Sequence, residues 1–462
     1  MARQLFGTDG VRGRAGEFVS AELALKLARA AVARSELPAS PELDRPHDHA
    51  DDHGGDGRPQ VLIVRDTRES GEMLESAIAA GVTAAGGDAL LAGVLPTPAA
   101  PLLVRRHRLA LAAVISASHN PFEDNGIKLF AADGFKLDDD TEHEIEAALE
   151  QPPAVPRQIG RVRRLNGALE DYLRALHERF AGLDLRGRRI LLDCANGATF
   201  RAAPEIFRRL GAEVETMADQ PDGRNINDAC GSTHLDAVID RTRAGGFEVA
   251  FAFDGDGDRV LAVDGAGEIV DGDELVALAA LHLHSRDRLP GGGVAVTVMT
   301  NFGFHTAMRA AGVEVAVTAV GDRYVLDELR RRGWALGGEQ SGHIIELGFA
   351  PSGDGIASAL LTLEALDGRD LRERGGMEKL PQRLVNIRAA DRQSLLSAME
   401  APALTDAVDR EQSALSGRGR VLVRASGTEP LIRVMVEAPS ERETDDVCGR
   451  LSEVVKTVLT GA

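Results

Sequence analysis

LALAAVISASHNP, residues 109–121, sets an apolar run directly against a polar loop. LALAAVIS (109–116) reads as a buried strand, and SASHNP follows it without a spacer. Outward from it the pattern is regular. VLIV (61–64) reads as another short buried strand, and residues 70–85 as a helix closed by Gly86 and Gly87. SAELALKLARAAVAR (20–34) has amphipathic helical spacing, with Ser20 as its N-cap. RRILLDCANGATF (188–200) begins a second unit, whose later strand VAFAF (249–253) runs into DGDGDR. A third unit holds VAVTVMT (294–300), a helix near 303–311, VEVAVTAV (313–320), and GGEQSGHIIEL as loop and strand. Alternating strands and helices predict a mostly parallel sheet, with ligand loops at the carboxyl ends of strands. The tail differs. From about Leu380, LVNIRA and VLVRASGTEPLIRVMVEA read as strands around a loop, and residues 440–459 as a closing helix.

The chain has 462 residues, enough for three or four domains. Its 53 basic and 72 acidic residues give a net charge of −19. That balance argues against a general nucleic-acid or anionic-membrane partner, so an anionic small molecule must be met by a local cluster of Arg and Lys. Cys194, Cys230 and Cys448 are widely spaced and form neither a metal pair nor a disulfide framework, which predicts buried thiols in a reducing cytoplasm. No apolar run is long enough for a membrane span, and the start lacks a signal-peptide core. LPASPELDRPHDHADDHGGDGRP (37–59) offers His47, His49 and His53, but its composition reads as a solvated loop rather than a metal tract. Gln151–Pro156 reads as a linker.

Five stretches carry possible chemistry. In ISASHNPFEDNGIKLF (115–130), Ser118 is placed as a nucleophile, with Asn120 and Pro121 favouring the turn that aims it. His119 and Lys128 could shield phosphate charge or move protons; alone, the stretch is also an ordinary turn. In FDGDGDRV (253–260), two glycines let Asp254, Asp256 and Asp258 converge on one hard cation. A calcium loop counted from Asp254 needs Gly at position six and Glu at position twelve, where Arg259 and Gly265 stand. Arg259 is placed to pair with a phosphate. In RASGTEPLIRVMVE (424–437), Ser426, Gly427 and Thr428 form a phosphate nest flanked by Arg424 and Arg433, the alternative being a hairpin with solvated arginines. In GGEQSGH (337–343), Glu339 and Ser341 can read sugar hydroxyls and His343 can act as acid or base, or the stretch is a Gly-rich connector. In FGTDGVRGRAG (6–16), Arg12 could pair with a phosphate, and Arg323 of GDRY (321–324) is a further substrate candidate.

Together these stretches resemble the α-D-phosphohexomutase superfamily and, within it, the phosphoglucosamine mutase family. CANGAT (194–199), PDGRNIND (221–228) and GSTH (231–234) add to the resemblance, which runs from Phe6 to about Val455. The acidic insert at 37–59 is the one departure. The resemblance implies an α/β fold of four domains around a central cleft: three α/β domains with mixed sheets at 1–156, 157–258 and 259–375, and a smaller α+β domain at 376–462. It implies that Ser118 carries a phosphoryl group as phosphoserine, and that Asp254, Asp256 and Asp258 hold Mg2+ with a phosphoserine oxygen. Glucosamine 6-phosphate and glucosamine 1-phosphate would interconvert through glucosamine 1,6-bisphosphate, feeding amino-sugar nucleotide and cell-wall precursor synthesis. Arg424, Ser426, Gly427, Thr428 and Arg433 would hold the far phosphate. Lys128 and His343 both stand as general bases, and an activating kinase or a bisphosphate would prime Ser118. A phosphoglucomutase or phosphomannomutase uses the same machinery; a non-catalytic sugar-phosphate binder is the reading from another class, disfavoured because serine, aspartates and clamp are all intact.

Overall fold

Antiparallel hairpins, rather than parallel crossovers, carry the four chemically suggestive loops. The computed structural model describes residues 5–7, 9–35, 57–152, 155–426 and 430–460. The His47, His49 and His53 tract, part of the 151–156 linker, and Gly427 and Thr428 lie outside the described residues. The chain divides into two units, Met1–Val298 with Val315–Arg374, and Met299–Glu314 with Gly375–Ala462.

In the first unit, one sheet runs β1 (Val11–Arg14), β5 (Asp124–Ala131), β4 (Leu111–Ile115), β2 (Gln60–Arg65), β3 (Asp88–Val94), β6 (Val162–Arg164). A second runs β11 (Ile269–Val270), β10 (Val260–Asp264), β9 (Val249–Phe253), β7 (Arg189–Asp193), β8 (Glu213–Met217). A third runs β13 (Glu314–Thr318), β12 (Gly293–Thr297), β14 (Leu336–Gly338), β15 (Ile344–Glu346). The first two have parallel centres, β4·β2·β3 and β9·β7·β8. The mostly parallel expectation is corrected at one edge of each sheet. There β4 pairs antiparallel with β5, β9 with β10, and β14 with β15. Ser118 lies between β4 and β5, the three aspartates between β9 and β10, and Glu339 to His343 between β14 and β15.

The helices form for local reasons. The Ser20 hydroxyl accepts the Leu23 N–H and starts Ala21–Val32, whose buried face is Ala24, Leu27, Ala28 and Ala31. Asp271 and Glu274 close a capping box on Gly272–Ser285. The first sheet's core gathers Val61, Ile63, Leu111, Ala113, Ile115 and Ile127 with Leu27, Leu74 and Ile78 from the covering helices. Phe251 on β9 is fully buried, with its ring centroid 6.0 Å from that of Phe207.

The second unit has its own sheet, β16 (Gln382–Arg388), β18 (Leu431–Glu437), β17 (Arg420–Ala425), all antiparallel. It is covered by helices that include Glu441–Thr460, and its core holds Ile432, Val434, Val436, Leu451 and Val455. The helix Phe302–Ala311 groups with this unit. Asn301 donates to the Leu380 carbonyl at 3.0 Å, and the Phe302 N–H donates to the Glu437 carboxylate at 2.8 Å. Cys194, Cys230 and Cys448 are free and buried. No helix among the described residues is long and apolar enough to cross a membrane.

Phe251→Ala removes a wholly buried ring from the second sheet. It should destabilise the protein by about 3–5 kcal/mol, read as a lowered midpoint in guanidinium unfolding.

Candidate active site

Ser118 sits where the first hairpin meets the second. Its backbone is left-handed, with φ +54°, a conformation costly for a residue with a Cβ. Three groups hold it there. Its N–H donates to Ser116 Oγ at 2.9 Å. Its carbonyl accepts from Arg68 Nη2 at 2.9 Å and from Asn227 Nδ2 at 2.9 Å. Arg68 is wholly buried and also reaches the carbonyls of Asn120 and Asp124, each at 2.9 Å, and that of Pro121. Its charge is met by Asp66 at 2.8 Å. Gly255 of the aspartate loop comes so close that a Cβ there would lie 2.6 Å from the Ser118 carbonyl oxygen, so only glycine fits.

Held this way, the buried Ser118 Oγ donates to Asp254 Oδ2 at 2.6 Å. Asp254, Asp256 and Asp258 each present a carboxylate oxygen, all within 4.8 Å of one another, and all three residues are buried. Asp256 Oδ2 is claimed by Lys128 at 2.9 Å and by the Thr97 hydroxyl at 2.7 Å. Oδ1 of Asp256 and Oδ1 of Asp258 are buried with no hydrogen-bond partner among the described residues. Buried, unsatisfied carboxylate oxygens converging at hairpin distance fit an oxygen-seeking divalent cation. Burial first, then the charges of Asp258 and Asp256, raises the Asp254 carboxyl well above its ordinary range.

Cations surround this corner. Burial alone would lower Lys128, but Asp256, Asp9 and Asp258 outweigh it and raise its pKa, so it stands as an ammonium. Arg259 donates its N–H to Asp254 Oδ1 at 3.1 Å, and its Nη1 lies 3.3 Å from His119 Nδ1. Burial, then Arg259 and Arg12, lowers His119 to about 4, so the ring is neutral. His119 Nδ1 is also 3.3 Å from Ser118 Oγ. Arg12 pairs with Asp9. His343 Nε2 accepts the Gly353 N–H at 3.1 Å, while its Nδ1 lies 3.7 Å from Asp258 Oδ1. Burial opposes a charge on this ring, but Asp258 and Asp322 outweigh it and raise its pKa.

The remaining residues singled out in the sequence divide. Glu339 Oε1 accepts the Gly321 N–H at 3.0 Å. Ser341 is exposed. The Gln340 amide turns back to Asp271 Oδ2 at 3.2 Å and latches its loop to a helix cap. Arg323 is engaged elsewhere in the first unit, with Asp139 at 2.8 Å, the Leu137 carbonyl at 2.7 Å and Glu142 at 3.3 Å. In the second unit, Arg424 and Arg433 face each other directly across β17 and β18. Arg424 is lowered by burial and then by Arg433, Arg433 Nε is buried without a hydrogen-bond partner among the described residues, and Ser426 is buried beside them. Two mutually repelling guanidiniums held this way suit an anion. The sequence reading missed Arg68, Asn227, Asp9, Lys136 and Asp322. Asp9, Asn227 and Asp322 carried a local signal, their places in the FGTDGVRG, PDGRNIND and GDRY stretches, and Arg68 and Lys136 carried none.

The chain matches all four domains of the phosphoglucomutase/phosphomannomutase family: domain I at residues 48–154, domain II at 170–267, domain III at 271–383 and the C-terminal domain at 384–454. It is 46% identical to a phosphoglucosamine mutase of Pelotomaculum thermopropionicum, over 98% of this chain and 99% of that one. It is 48% identical to one of Parafrankia sp., over 99% and 100%. A phosphoglucomutase/phosphomannomutase family protein of Burkholderia thailandensis has the same fold, with TM-score 0.79 at 24% identity over 98% of both chains. So does Aspergillus fumigatus N-acetylphosphoglucosamine mutase, solved with GlcNAc-6P and magnesium, with TM-score 0.66 at 19% identity over 99% and 96%.

Arg68→Met leaves Asp66 buried without its cation and takes one donor from each of four loop carbonyls. It should cost about 3–5 kcal/mol of stability by chemical denaturation, and lower turnover even where the protein remains folded.

Proposed function

The chain belongs to the phosphoglucosamine mutases of the phosphoglucomutase/phosphomannomutase family, and from that premise we propose how its residues interconvert glucosamine 6-phosphate and glucosamine 1-phosphate. The observation that carries the reading is the Ser118 hydroxyl, held in a left-handed turn and donated at 2.6 Å to a carboxylate of the buried triad. A hydroxyl so placed is the phosphoryl carrier. Its phosphoserine passes the group to a sugar hydroxyl, and the 1,6-bisphosphate returns its other phosphate to Ser118.

Asp254, Asp256 and Asp258 hold magnesium, which supplies neutralisation of phosphoryl-oxygen charge when bound. The chain's own cations do the rest of the positioning. Arg259 and Arg12 pair with phosphoryl oxygens. His119 is neutral with Nδ1 turned to Arg259, so Nε2–H is its free donor to phosphate. Glu339, fixed by the Gly321 N–H, reads the sugar at its 2-amino group. Arg424, Ser426 and Arg433, with Gly427 and Thr428, bind a phosphate of the substrate. Lys128 and His343 are the two groups of the charge cluster that can exchange the sugar-hydroxyl proton.

Ser118→Ala should leave the fold intact and abolish turnover. Intact-protein mass spectrometry should find one phosphate on active wild type and none on the variant. Activity surviving in the Ala variant would remove the serine carrier.

Asp256→Asn deletes one triad charge at nearly constant shape. Magnesium affinity by calorimetry should fall roughly 10- to 100-fold, and chelator should silence the wild type until magnesium is returned. Full turnover in chelator would show that the triad is only a turn.

Substrate choice is read from kcat/KM. A carboxylate facing a 2-ammonium gains a charge-assisted bond stronger than one to a 2-hydroxyl, so glucosamine 6-phosphate should exceed glucose 6-phosphate and mannose 6-phosphate by roughly fivefold or more. The reverse order would refute the amino-sugar reading.

A further inference from the structure

Six side chains of the first unit, five of them acidic or basic and the sixth His343, form a closed loop. Asp258 Oδ2 meets Lys128 Nζ at 3.3 Å, and Lys128 meets Asp9 Oδ2 at 3.1 Å. The other oxygen of Asp9 meets Lys136, and Lys136 meets Asp322 Oδ2. Asp322 Oδ2 lies 3.7 Å from His343 Nε2, and His343 Nδ1 lies 3.7 Å from Asp258 Oδ1, which closes the ring. The members come from the segment before β1, from β5 and the turn after it, from the aspartate loop, from the start of the helix Asp322–Arg332, and from the loop between β14 and β15.

Three members, Asp9, Lys136 and Asp322, touch no residue of the aspartate triad. Lys136 bridges Asp9 and Asp322, and Asp322 faces Lys136 and His343; their side chains are only 15% and 17% exposed. The same short segment also supplies the Gly321 N–H that holds Glu339. Lys136–Asp322 is therefore the ionic joint between the part of the site carrying Arg12 and Lys128 and the part carrying Glu339 and His343. A buried pair of this kind is poor evidence for stability, and its best-attested use is to fix one arrangement among several.

We propose that Lys136 and Asp322 are positioning residues for phosphoryl transfer, locking His343 in register with Lys128 and Asp9. The proposal rests on the mutase reading. Glu339 is held through a backbone N–H, so breaking the joint misplaces His343 while substrate binding survives. Asp322→Asn keeps shape and removes the charge. It should lower kcat roughly 10- to 100-fold with KM within about threefold of wild type and magnesium affinity unchanged. Lys136→Met should lower kcat similarly, and the double variant should be no worse than Lys136→Met, because either change already opens the joint. Lys136→Arg, which can still bridge two carboxylates, should stay within about threefold of wild type.

The assays are run well below each variant's melting temperature, on whichever hexose phosphate the wild type turns over best. A wrong substrate assignment then shows in the wild type alone and leaves this comparison intact. Wild-type kcat in Asp322→Asn, even with a lowered melting temperature, would overturn the proposal. So would losses that multiply in the double variant. Should Lys136→Met fail to fold, Asp322→Asn and Lys136→Arg decide between them: a loss in the first with retention in the second supports the joint, and any other pattern refutes it.

Discussion

Three carboxylates in one buried corner are the constraint on which the site depends. Two unit charges about 4 Å apart repel by on the order of 4 kcal/mol where the effective dielectric is about 20, and the triad contains three such pairs. The structure offsets part of this with Lys128, whose ammonium reaches Asp256 at 2.9 Å and Asp258 at 3.3 Å. Another part is met by the Ser118 hydroxyl and the Arg259 N–H, both donated to Asp254. Asp9, Asp254, Asp256, Asp258 and Asp322 stand among Arg12, Lys128, Lys136 and Arg259, with His119 neutral. An aspartate triad by itself repels a phosphate, and a divalent cation between the aspartates would relieve that repulsion. In a chain of net charge −19, no general surface attraction could do the same work.

The hairpins make the corner possible. A loop between antiparallel neighbours has both ends fixed by the same ladder, Phe253 opposite Val260 for the aspartate loop and Gly338 opposite Ile344 for the sugar loop. Such a loop can carry its carboxylates close together without fraying apart under their repulsion. The sugar loop is drawn in further: the Glu339 N–H donates to the His343 carbonyl at 3.0 Å, and Gln340 ties to the cap of the helix Gly272–Ser285.

What the sequence showed, and what it hid, follows from range. Asp254, Asp256 and Asp258 are visible because their convergence is local, set by two intervening glycines. Ser118 is visible because a strand ends beside it. The alternation of strands and helices gave the α/β class and the central strands. It misjudged the edges, although a signal was present: six residues, 254–259, separate β9 from β10, and a parallel crossover needs about a dozen or more. Arg68 and Lys136 were not legible, because each acts on groups far along the chain and neither sits in a pattern of its own; Asp9 and Asp322 sat in stretches where the arginines drew the reading instead. Arg323 was picked out of the same stretch as Asp322, and its guanidinium meets Asp139, Glu142 and the Leu137 carbonyl.

The serine loop shows how such long-range residues act. A left-handed backbone at a residue with a Cβ costs roughly 1–2 kcal/mol, and Ser118 adopts it. Hydrogen bonds from a charged donor contribute about 1.5–3 kcal/mol each, and the buried Arg68 gives them to four carbonyls of this one loop. The strain is thus outweighed by contacts within the folded protein. Gly255 then seats the aspartate loop directly against the Ser118 carbonyl, so the serine and the aspartates cannot shift independently. Contacts of this kind within the fold reduce the binding free energy that has to be spent on ordering the serine loop.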